Sequence, residues 1–126
     1  MNFPENIKYS KEHTWVSIEG NIGTIGITEF AQSELGEIVY VDMPRVGQSF
    51  KKDEVFGSVE AVKTTSDLII PVSGIVKEIN SNVVKDPSPV NSDSYKDGWL
   101  IKIEISDLNE VTGLLSSSGY KDLTGN

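Results

Sequence analysis

The residue best placed to carry chemistry is a lysine between two strand-like runs. Residues 55–61 and 68–72 are rich in β-branched and apolar side chains, and the short polar segment between them contains Lys63. This pattern predicts a β-hairpin with the lysine at its tip. A tight turn exposes one amine on a rigid backbone, as a covalent attachment site requires, although most lysines in turns are merely solvated. Acylation would replace the ammonium with a neutral amide that can carry an apolar group.

Other forms of chemistry have little support in the sequence. The chain has no cysteine, which excludes a thiol nucleophile and a disulfide framework. His13 is the single histidine, which excludes a multi-histidine metal site. No serine stands in a G-x-S-x-G pattern, and the glycines lack the strand-to-helix context of a phosphate-binding loop. We therefore expect neither independent catalysis nor a bound metal.

The composition describes a small acidic protein. Its 126 residues leave room for one core. The formal net charge is −8, from 11 basic and 19 acidic residues, so repulsion from phosphate groups disfavours nucleic-acid binding. No apolar run approaches the roughly 20 residues that cross a bilayer, and the chain opens without a signal-like segment. We expect no membrane partner and a cytoplasmic location of the bacterial type, or a mitochondrial one only if a leader was removed.

Short strand patterns alternate with turn residues along the chain, which predicts a β-sandwich or flattened barrel. Thr28 can cap a short helix, Glu29–Leu35, that Gly36 ends. The predicted strands are residues 14–19, 21–27, 37–43, 55–61, 68–72, 75–79 and 98–105.

Strict alternation of side chains assigns the faces of two of these strands. The strand of residues 37–43 would have Ile38, Tyr40 and Asp42 on one face and Val39, Val41 and Met43 on the other. The strand of residues 55–61 would have Val55, Gly57, Val59 and Ala61 on one face, with Phe56, Ser58, Glu60 and the following Val62 on the other. The small residues of this second strand are assigned to close packing.

Three segments are less regular. Residues 1–13 are polar and are expected along the surface before the first strand. Residues 80–96 carry two prolines and four serines and are interpreted as an ordered surface loop. Its apolar anchors would be Val83, Val84, Val90 and Tyr95. Asp107 and Glu110 have the spacing of a capping box at the start of a short C-terminal helix.

The residues around Lys63 resemble a known attachment site. The stretch from Val59 to Asp67, followed by residues 71–74, is similar to the lipoylation hairpin of the glycine cleavage system H-protein family. Other signature segments of that family occur in the same order in residues 9–16, 25–36 and 90–102. The resemblance covers nearly the whole chain.

The resemblance implies a fold, a cofactor and partners. The fold would be mainly β, a lipoyl/biotinyl-type hammerhead of two small sheets with a few short helices. It would form a single carrier domain over residues 1–126, with a short helical C-terminal extension. Lipoate in amide linkage on Lys63 would shuttle an aminomethyl group between glycine decarboxylase, aminomethyltransferase and dihydrolipoamide dehydrogenase. A lipoate-attaching enzyme would be a further partner, and the protein itself would not be an enzyme.

The resemblance also implies roles for residues other than the lysine. Glu60, Asp67 and Gly74 would be recognised by the lipoate-attaching enzyme. The alternative for the two carboxylates is that they only solvate the surface.

A second set of residues, Glu12, His13 and Thr14, resembles the family segment that lines a groove for the loaded arm. Thr14 departs from the family pattern, since glutamate is common there. Without that carboxylate the groove would lose a counter-ion for a protonated aminomethyl group.

Three alternatives remain open at this point. The departure at Thr14 favours a related H-like lipoyl protein that relays lipoate or other acyl groups to different enzymes. A biotin carrier is disfavoured, because Val62 and Thr64 flank the lysine where biotin sites usually place methionine. An interaction domain with an unmodified Lys63 is the third possibility.

Overall fold

The chain forms two antiparallel β-sheets with short helices between and around the strands. The computed structural model describes all 126 residues, Met1–Asn126. The strands are β1 Lys8–Tyr9, β2 Thr14–Glu19, β3 Ile22–Ile27, β4 Ile38–Asp42, β5 Ser49–Phe50, β6 Val55–Ala61, β7 Thr65–Ile69, β8 Gly74–Ile79 and β9 Ile101–Ile105. The helices are α1 Glu29–Leu35, α2 Ser81–Lys85, α3 Ser88–Ser92, a 3₁₀ helix Leu108–Gly113 and α4 Ser117–Thr124.

The two sheets share one hydrophobic core. The larger sheet has the strand order β1-β2-β3-β9-β8-β5, and the smaller has the order β4-β6-β7. Both sheets and the helices α2 and α3 contribute to a single cluster of 18 buried residues. Val16 and Ile25 represent the larger sheet in this cluster, and Val59 and Leu68 the smaller one. The predicted mainly β sandwich of two small sheets is confirmed.

A β-bulge in β4 changes which side chains face the core. The pairing of β4 with β6 shifts register between Ile38 and Tyr40. A bulge adds one residue to a strand, so the residues beyond it face the opposite way from simple alternation. Ile38 and Val41 are therefore both buried, whereas Tyr40 is exposed. The prediction that Ile38 and Val41 lie on opposite faces was wrong for this reason.

A second bulge has the same effect in β6. The pairing of β6 with β7 shifts register between Val55 and Gly57. Phe56 consequently joins Val59 and Ala61 in the core, and Val55 is exposed. The prediction that Val55 shares a face with Val59 and Ala61 was thus wrong. The prediction that Phe56 lies on the opposite face from Val59 and Ala61 was wrong as well.

Residues 80–96 contain two short helices, α2 and α3, rather than the predicted loop. The error came from the prolines, which interrupt a helix interior but are well suited to a first helical turn. Val83 and Val90 are fully buried and Tyr95 is half-buried, as predicted. Val84 is exposed and anchors nothing.

The two ends of the chain pack against each other, contrary to the surface course predicted for residues 1–13. A second buried cluster consists of Phe3, Ile7, Tyr9, Trp15 and Tyr120. The rings of Tyr9 and Tyr120 stack with their centroids 4.8 Å apart. The apolar residues of the N-terminal segment are too irregularly spaced to give a periodic signal. Their burial therefore becomes evident only from their packing against α4.

The segment after β9 is helical, as predicted, but Asp107 and Glu110 do not form the predicted capping box. Asp107 caps the 3₁₀ helix by accepting the backbone N–H of Asn109 at 3.0 Å. The carboxylate of Glu110 accepts the backbone N–H and the hydroxyl of Ser73, at 2.8 and 3.0 Å. Glu110 therefore ties this segment to the start of β8 instead of closing a capping box. Gly125, in the left-handed conformation, ends α4.

Most predicted strands occur, with shifts at their ends. Residues 55–61 and 14–19 match β6 and β2, whereas the second hairpin strand runs Thr65–Ile69 rather than 68–72. The last strand begins at Ile101 rather than at residue 98. The strands β1 and β5 have only two residues each and give no period to detect. None of the helices has the length and apolar character needed to cross a membrane.

The close approach of β4 and β6 generates a prediction for Gly57→Ala. A Cβ atom at this position would collide with the backbone carbonyl oxygen of Asp42. Because backbone atoms cannot move aside without opening the sheet, we expect the free energy of unfolding to fall by about 1–3 kcal/mol. Urea denaturation followed by circular dichroism measures this change.

Gly119→Ala is the matched control. Its new Cβ atom in α4 would come no closer than 3.5 Å to another atom. Alanine is favoured in helices, so the free energy of unfolding should stay unchanged or rise by about 0.5–1 kcal/mol. Equal stability of the Gly57→Ala variant and the wild type would contradict the packing argument.

Candidate functional site

The lysine predicted at the hairpin tip lies there in the structure. Strands β6 and β7 pair up to Glu60 opposite Thr65, and the four residues 61–64 form the turn. The backbone N–H of Ala61 donates to the carbonyl oxygen of Thr64 at 2.7 Å. Lys63 is exposed, and both salt bridges of the chain lie elsewhere, between β8 and β9. Its amine is therefore free for a modifying enzyme.

The turn is also attached to the neighbouring strand segment. The backbone N–H of Val62 donates to the carbonyl oxygen of Glu37 at 3.0 Å, although the Val62 side chain is 65% exposed. Ala61, at the base of the turn, is buried in the shared core. The backbone around Lys63 is thus held from two sides while the side chains at the tip face solvent.

A groove of about 200 Å³ opens beside this hairpin. One wall consists of Ser66, Asp67 and Leu68 from β7, together with Val59 from β6. Helix α1 and the segment before β2 form the opposite wall. The three predicted groove residues, Glu12, His13 and Thr14, all line this one cavity.

The groove lies within reach of a group carried on the hairpin tip. Ser66, on the groove wall, is three residues from Lys63, a span of at most about 11 Å of extended chain. A lysine side chain with a lipoyl group in amide linkage is longer than this span when extended. An arm attached at Lys63 can therefore fold back from solvent into the groove.

The groove combines an apolar floor with an acidic rim. Ile27, Phe30 and Leu35 are among its apolar lining residues. Three exposed carboxylates, from Glu12, Glu34 and Asp67, also line it, and no lysine or arginine does. The charged side chains that line the groove are therefore all acidic, an arrangement that favours a positively charged guest.

His13 is held in place by its backbone and its ring. Its φ of 70° lies in the left-handed region, which is uncommon for residues other than glycine. The backbone N–H of His13 donates to the carbonyl oxygen of Ser10, and its own carbonyl accepts the N–H of Thr28. The ring atom Nδ1 lies 2.7 Å from the hydroxyl oxygen of Tyr120. Burial lowers the pKa of His13, against the opposing effect of the carboxylates of Glu12 and Glu34.

Thr14 lines the groove, but its hydroxyl is used inside the protein. The residue is 1% exposed, and its hydroxyl donates to the carbonyl oxygen of Ile69 at 3.1 Å. Since that hydrogen is used, the 2.7 Å contact with the Ser10 hydroxyl must have Ser10 as donor. Thr14 therefore ties β2 to the end of β7 and does not offer a charge to a guest.

The residues predicted to guide lipoate attachment fall into two places. Glu60 and Asp67 are exposed on the two strands of the hairpin, at the sides of Lys63. Gly74 is buried at the start of β8 in the other sheet, where a Cβ atom would come within 2.5 Å of the Glu104 carbonyl oxygen. Close strand packing is sufficient reason for glycine there. The recognition roles of all three residues remain predictions.

The sequence analysis missed one charged residue that lines the groove and one residue that contacts His13 from outside the groove lining. Glu34 lies on α1 and supplies a carboxylate near His13, and Tyr120 reaches the same histidine from α4. The helical period of α1 could have indicated that Glu34 shares a face with Phe30, four residues earlier. No sequence signal places Tyr120 beside a residue 107 positions away.

An open sandwich of two small sheets, with one lysine presented on a rigid turn beside a sheltered groove, defines a hammerhead carrier domain. A family model described as glycine cleavage H-protein matches residues 7–126. The chain belongs to this family. Members of the family are lipoyl carriers of the glycine cleavage system and act as subunits that do not themselves catalyse the reaction.

Individual relatives support the same assignment. The chain is 48% identical to the glycine cleavage system H protein of Symbiobacterium thermophilum over 123 residues, which covers 98% of this chain and 96% of the relative. It is 47% identical to the protein of the same name from Bacteroides fragilis over 121 residues, covering 96% of each chain. The crystal structure of a glycine cleavage system H protein from Mycobacterium marinum superimposes with a TM-score of 0.91 at 35% identity, covering 98% of this chain and all of the other.

The buried contacts of Thr14 generate a prediction for Thr14→Val. Valine keeps the volume but removes the hydroxyl that joins β2 to the end of β7, and it leaves the Ser10 hydroxyl without its acceptor. We expect the free energy of unfolding to fall by about 1–3 kcal/mol, measured by urea denaturation. Thr24→Val, at a half-buried position of β3 without a side-chain hydrogen bond, should stay within about 0.5 kcal/mol of wild type. Equal losses for the two variants would refute the structural role given to Thr14.

Proposed function

We propose that Lys63 carries lipoate in amide linkage and that the groove beside the hairpin shelters the loaded end of this arm. The observation that carries the proposal is the exposed amine on a turn fixed by two backbone hydrogen bonds, from Ala61 and Val62. A rigid turn presents the same backbone shape to a lipoate-attaching enzyme each time. Glu60 and Asp67, at the sides of the lysine, would be read by that enzyme together with the turn.

The proposed partners follow from membership of a multienzyme system. Glycine decarboxylase would load the arm, aminomethyltransferase would unload it, and dihydrolipoamide dehydrogenase would reoxidise it. When attached, lipoate supplies the sulfur chemistry that holds the aminomethyl group. This chain supplies a tether, which raises the effective concentration of the carried group at each partner, and a site that excludes water.

The charges of the groove fit the carried group. An aminomethyl group is protonated near neutral pH, since it is an alkylamine. Glu12, Glu34 and Asp67 at the rim would attract this ammonium, while the apolar floor accommodates the hydrocarbon part of the arm. Although Thr14 stands where the family commonly has a glutamate, three other carboxylates line the groove. This observation supports the glycine cleavage role over the relay of lipoate alone.

Attachment at Lys63 is the first consequence to test. Incubation of the unmodified protein with lipoate, ATP and a lipoate ligase should add one lipoyl group, measured by intact mass and located by peptide mapping. Lys63→Arg should abolish the addition, because the guanidinium is not acylated. Lys85→Arg, which removes an exposed lysine of α2, should leave the addition unchanged. A folded, unmodified sample that gains no lipoyl group, or gains it at another lysine, would overturn the proposal.

The acidic rim generates a second test, on protein loaded with the aminomethyl group and freed of partner enzymes. Glu34→Gln removes one rim charge without changing the shape of the side chain. Because the rim is exposed, we expect a modest effect, an about two- to five-fold faster loss of the aminomethyl group. The released formaldehyde and ammonia measure that rate.

Glu19→Gln serves as the control for this experiment. It removes one exposed carboxylate at the far end of β2, outside the groove, and should leave the rate of loss unchanged. If both variants lose the aminomethyl group at the wild-type rate, Glu34 does not hold the ammonium. Transfer of lipoate to a second acceptor protein, without any aminomethyl loading, would instead support the relay alternative.

A further inference from the structure

A hydrogen-bonded chain connects the C-terminal helix to the groove. The hydroxyl oxygen of Tyr120 lies 2.7 Å from Nδ1 of His13 and 2.7 Å from the hydroxyl oxygen of Thr28. Thr28, at the N-terminus of α1, also accepts the backbone N–H of Ala31 at 3.1 Å. Three elements therefore meet at one tyrosine hydroxyl: the segment before β2, the start of α1, and α4.

The positions of the hydrogens in this chain follow from counting donors. Each hydroxyl has one hydrogen to donate. If Tyr120 donates to Nδ1 of His13, then Thr28 donates to the Tyr120 oxygen and every group has a partner. If Tyr120 donates to Thr28 instead, the Thr28 hydrogen has no acceptor among its contacts, although this residue is fully buried. Buried polar groups are almost always paired, so the first arrangement is favoured.

This arrangement decides the state of the imidazole. A ring whose Nδ1 accepts a hydrogen bond has its single hydrogen on Nε2 and is neutral. Nε2 of His13 has no hydrogen-bond partner in the protein. Every buried side-chain nitrogen and oxygen of the chain does have one, so Nε2 is not buried. Nε2 is therefore open to solvent, and the cavity that His13 lines is the groove.

We propose that Tyr120 is a positioning residue for the groove: its hydroxyl holds His13 in the neutral form that presents Nε2–H to the bound arm. A neutral ring keeps the charges of the groove entirely acidic, which a cationic guest requires. Nε2–H can donate to a neutral acceptor of the arm, such as its amide oxygen. The titratable groups around His13 are Glu12 on its own segment, Glu34 on α1, Tyr120 on α4 and Asp67 across the groove.

The proposal has a consequence for pH dependence. Protonation of His13 would place a hydrogen on Nδ1, force Tyr120 to donate to Thr28 instead, and leave the Thr28 hydrogen without a partner. It would also add a positive charge beside the cationic end of the arm. Burial lowers the pKa of His13 below its ordinary value of about 6.5, so both effects set in only as the pH falls below that value.

The direct test is the nitrogen-15 spectrum of the imidazole, which is free of overlap because the chain has one histidine. At pH 7.5 the unmodified full-length protein should show an unprotonated Nδ1 and a protonated Nε2, with a titration midpoint below that of a free histidine peptide. A protonated Nδ1, or a charged ring at this pH, would overturn the proposal. This measurement needs no substitution and no lipoate.

Tyr120→Phe shows whether the tyrosine is responsible. Nδ1 should lose its partner, so that the Nδ1–H form becomes detectable and the titration midpoint of His13 rises. Tyr95→Phe removes another hydroxyl of the same aromatic cluster, one that donates to Asn2 and accepts the N–H of Glu29, and should leave the His13 spectrum unchanged. An unchanged spectrum in Tyr120→Phe would sink the proposal, and if that variant does not fold, the wild-type spectrum alone decides.

The functional consequence rests on the proposed role of the groove and is tested separately. In the aminomethyl-loaded protein, the rate of loss should increase as the pH falls through the His13 midpoint, and this increase should begin at a higher pH in Tyr120→Phe. A His13 spectrum as expected, with no difference between the pH profiles, would confine Tyr120 to a structural role and reject its effect on the arm. Failure of Lys63 to accept lipoate would count against the proposed function and leave the result for the imidazole unaffected.

Discussion

Burial of the inner face of the small sheet is the constraint on which the rest of the structure depends. Val59 and Ala61 from β6 and Leu68 from β7 are part of the core shared with the larger sheet. A sheet with one apolar face is stable in water only when that face is buried against another layer. The turn around Lys63 cannot shift without uncovering these residues. Its rigidity thus depends on the contact between the sheets as well as on the backbone hydrogen bonds of Ala61 and Val62.

The groove lies against the same contact between the two sheets. Val59 and Leu68 belong both to the core and to the groove wall, so the cavity is bounded by the interior of the protein on one side. Carboxylates occupy the rim, where water can solvate them when no guest is present, and this avoids the cost of burying unpaired charge. The separation of an apolar floor from an acidic rim lets one small site accept a guest with a hydrocarbon stem and a cationic end.

Local patterns were sufficient for the hairpin and for α1. The strand runs on both sides of Lys63 predicted the turn, and Thr28 and Gly36 predicted the limits of α1, because each of these signals acts within a few residues. The same reasoning failed at β4 and β6, since a bulge is a response to pairing with a neighbouring strand. It also failed for residues 80–96, where the prolines mark the start of a helix.

By itself, the sequence determined where the chain turns, which lysine stands at the tip, and that the surface is acidic, since these depend on residue types and near neighbours. Only the tertiary structure decided which side chains form the groove. Thr14 had the position of a charged family residue, yet it serves to join two strands through the carbonyl of Ile69. Glu34 on α1 and Tyr120 on α4 reach His13 because the two helices pack beside it. His13 and Tyr120 are 107 positions apart, so sequence spacing alone cannot bring them together.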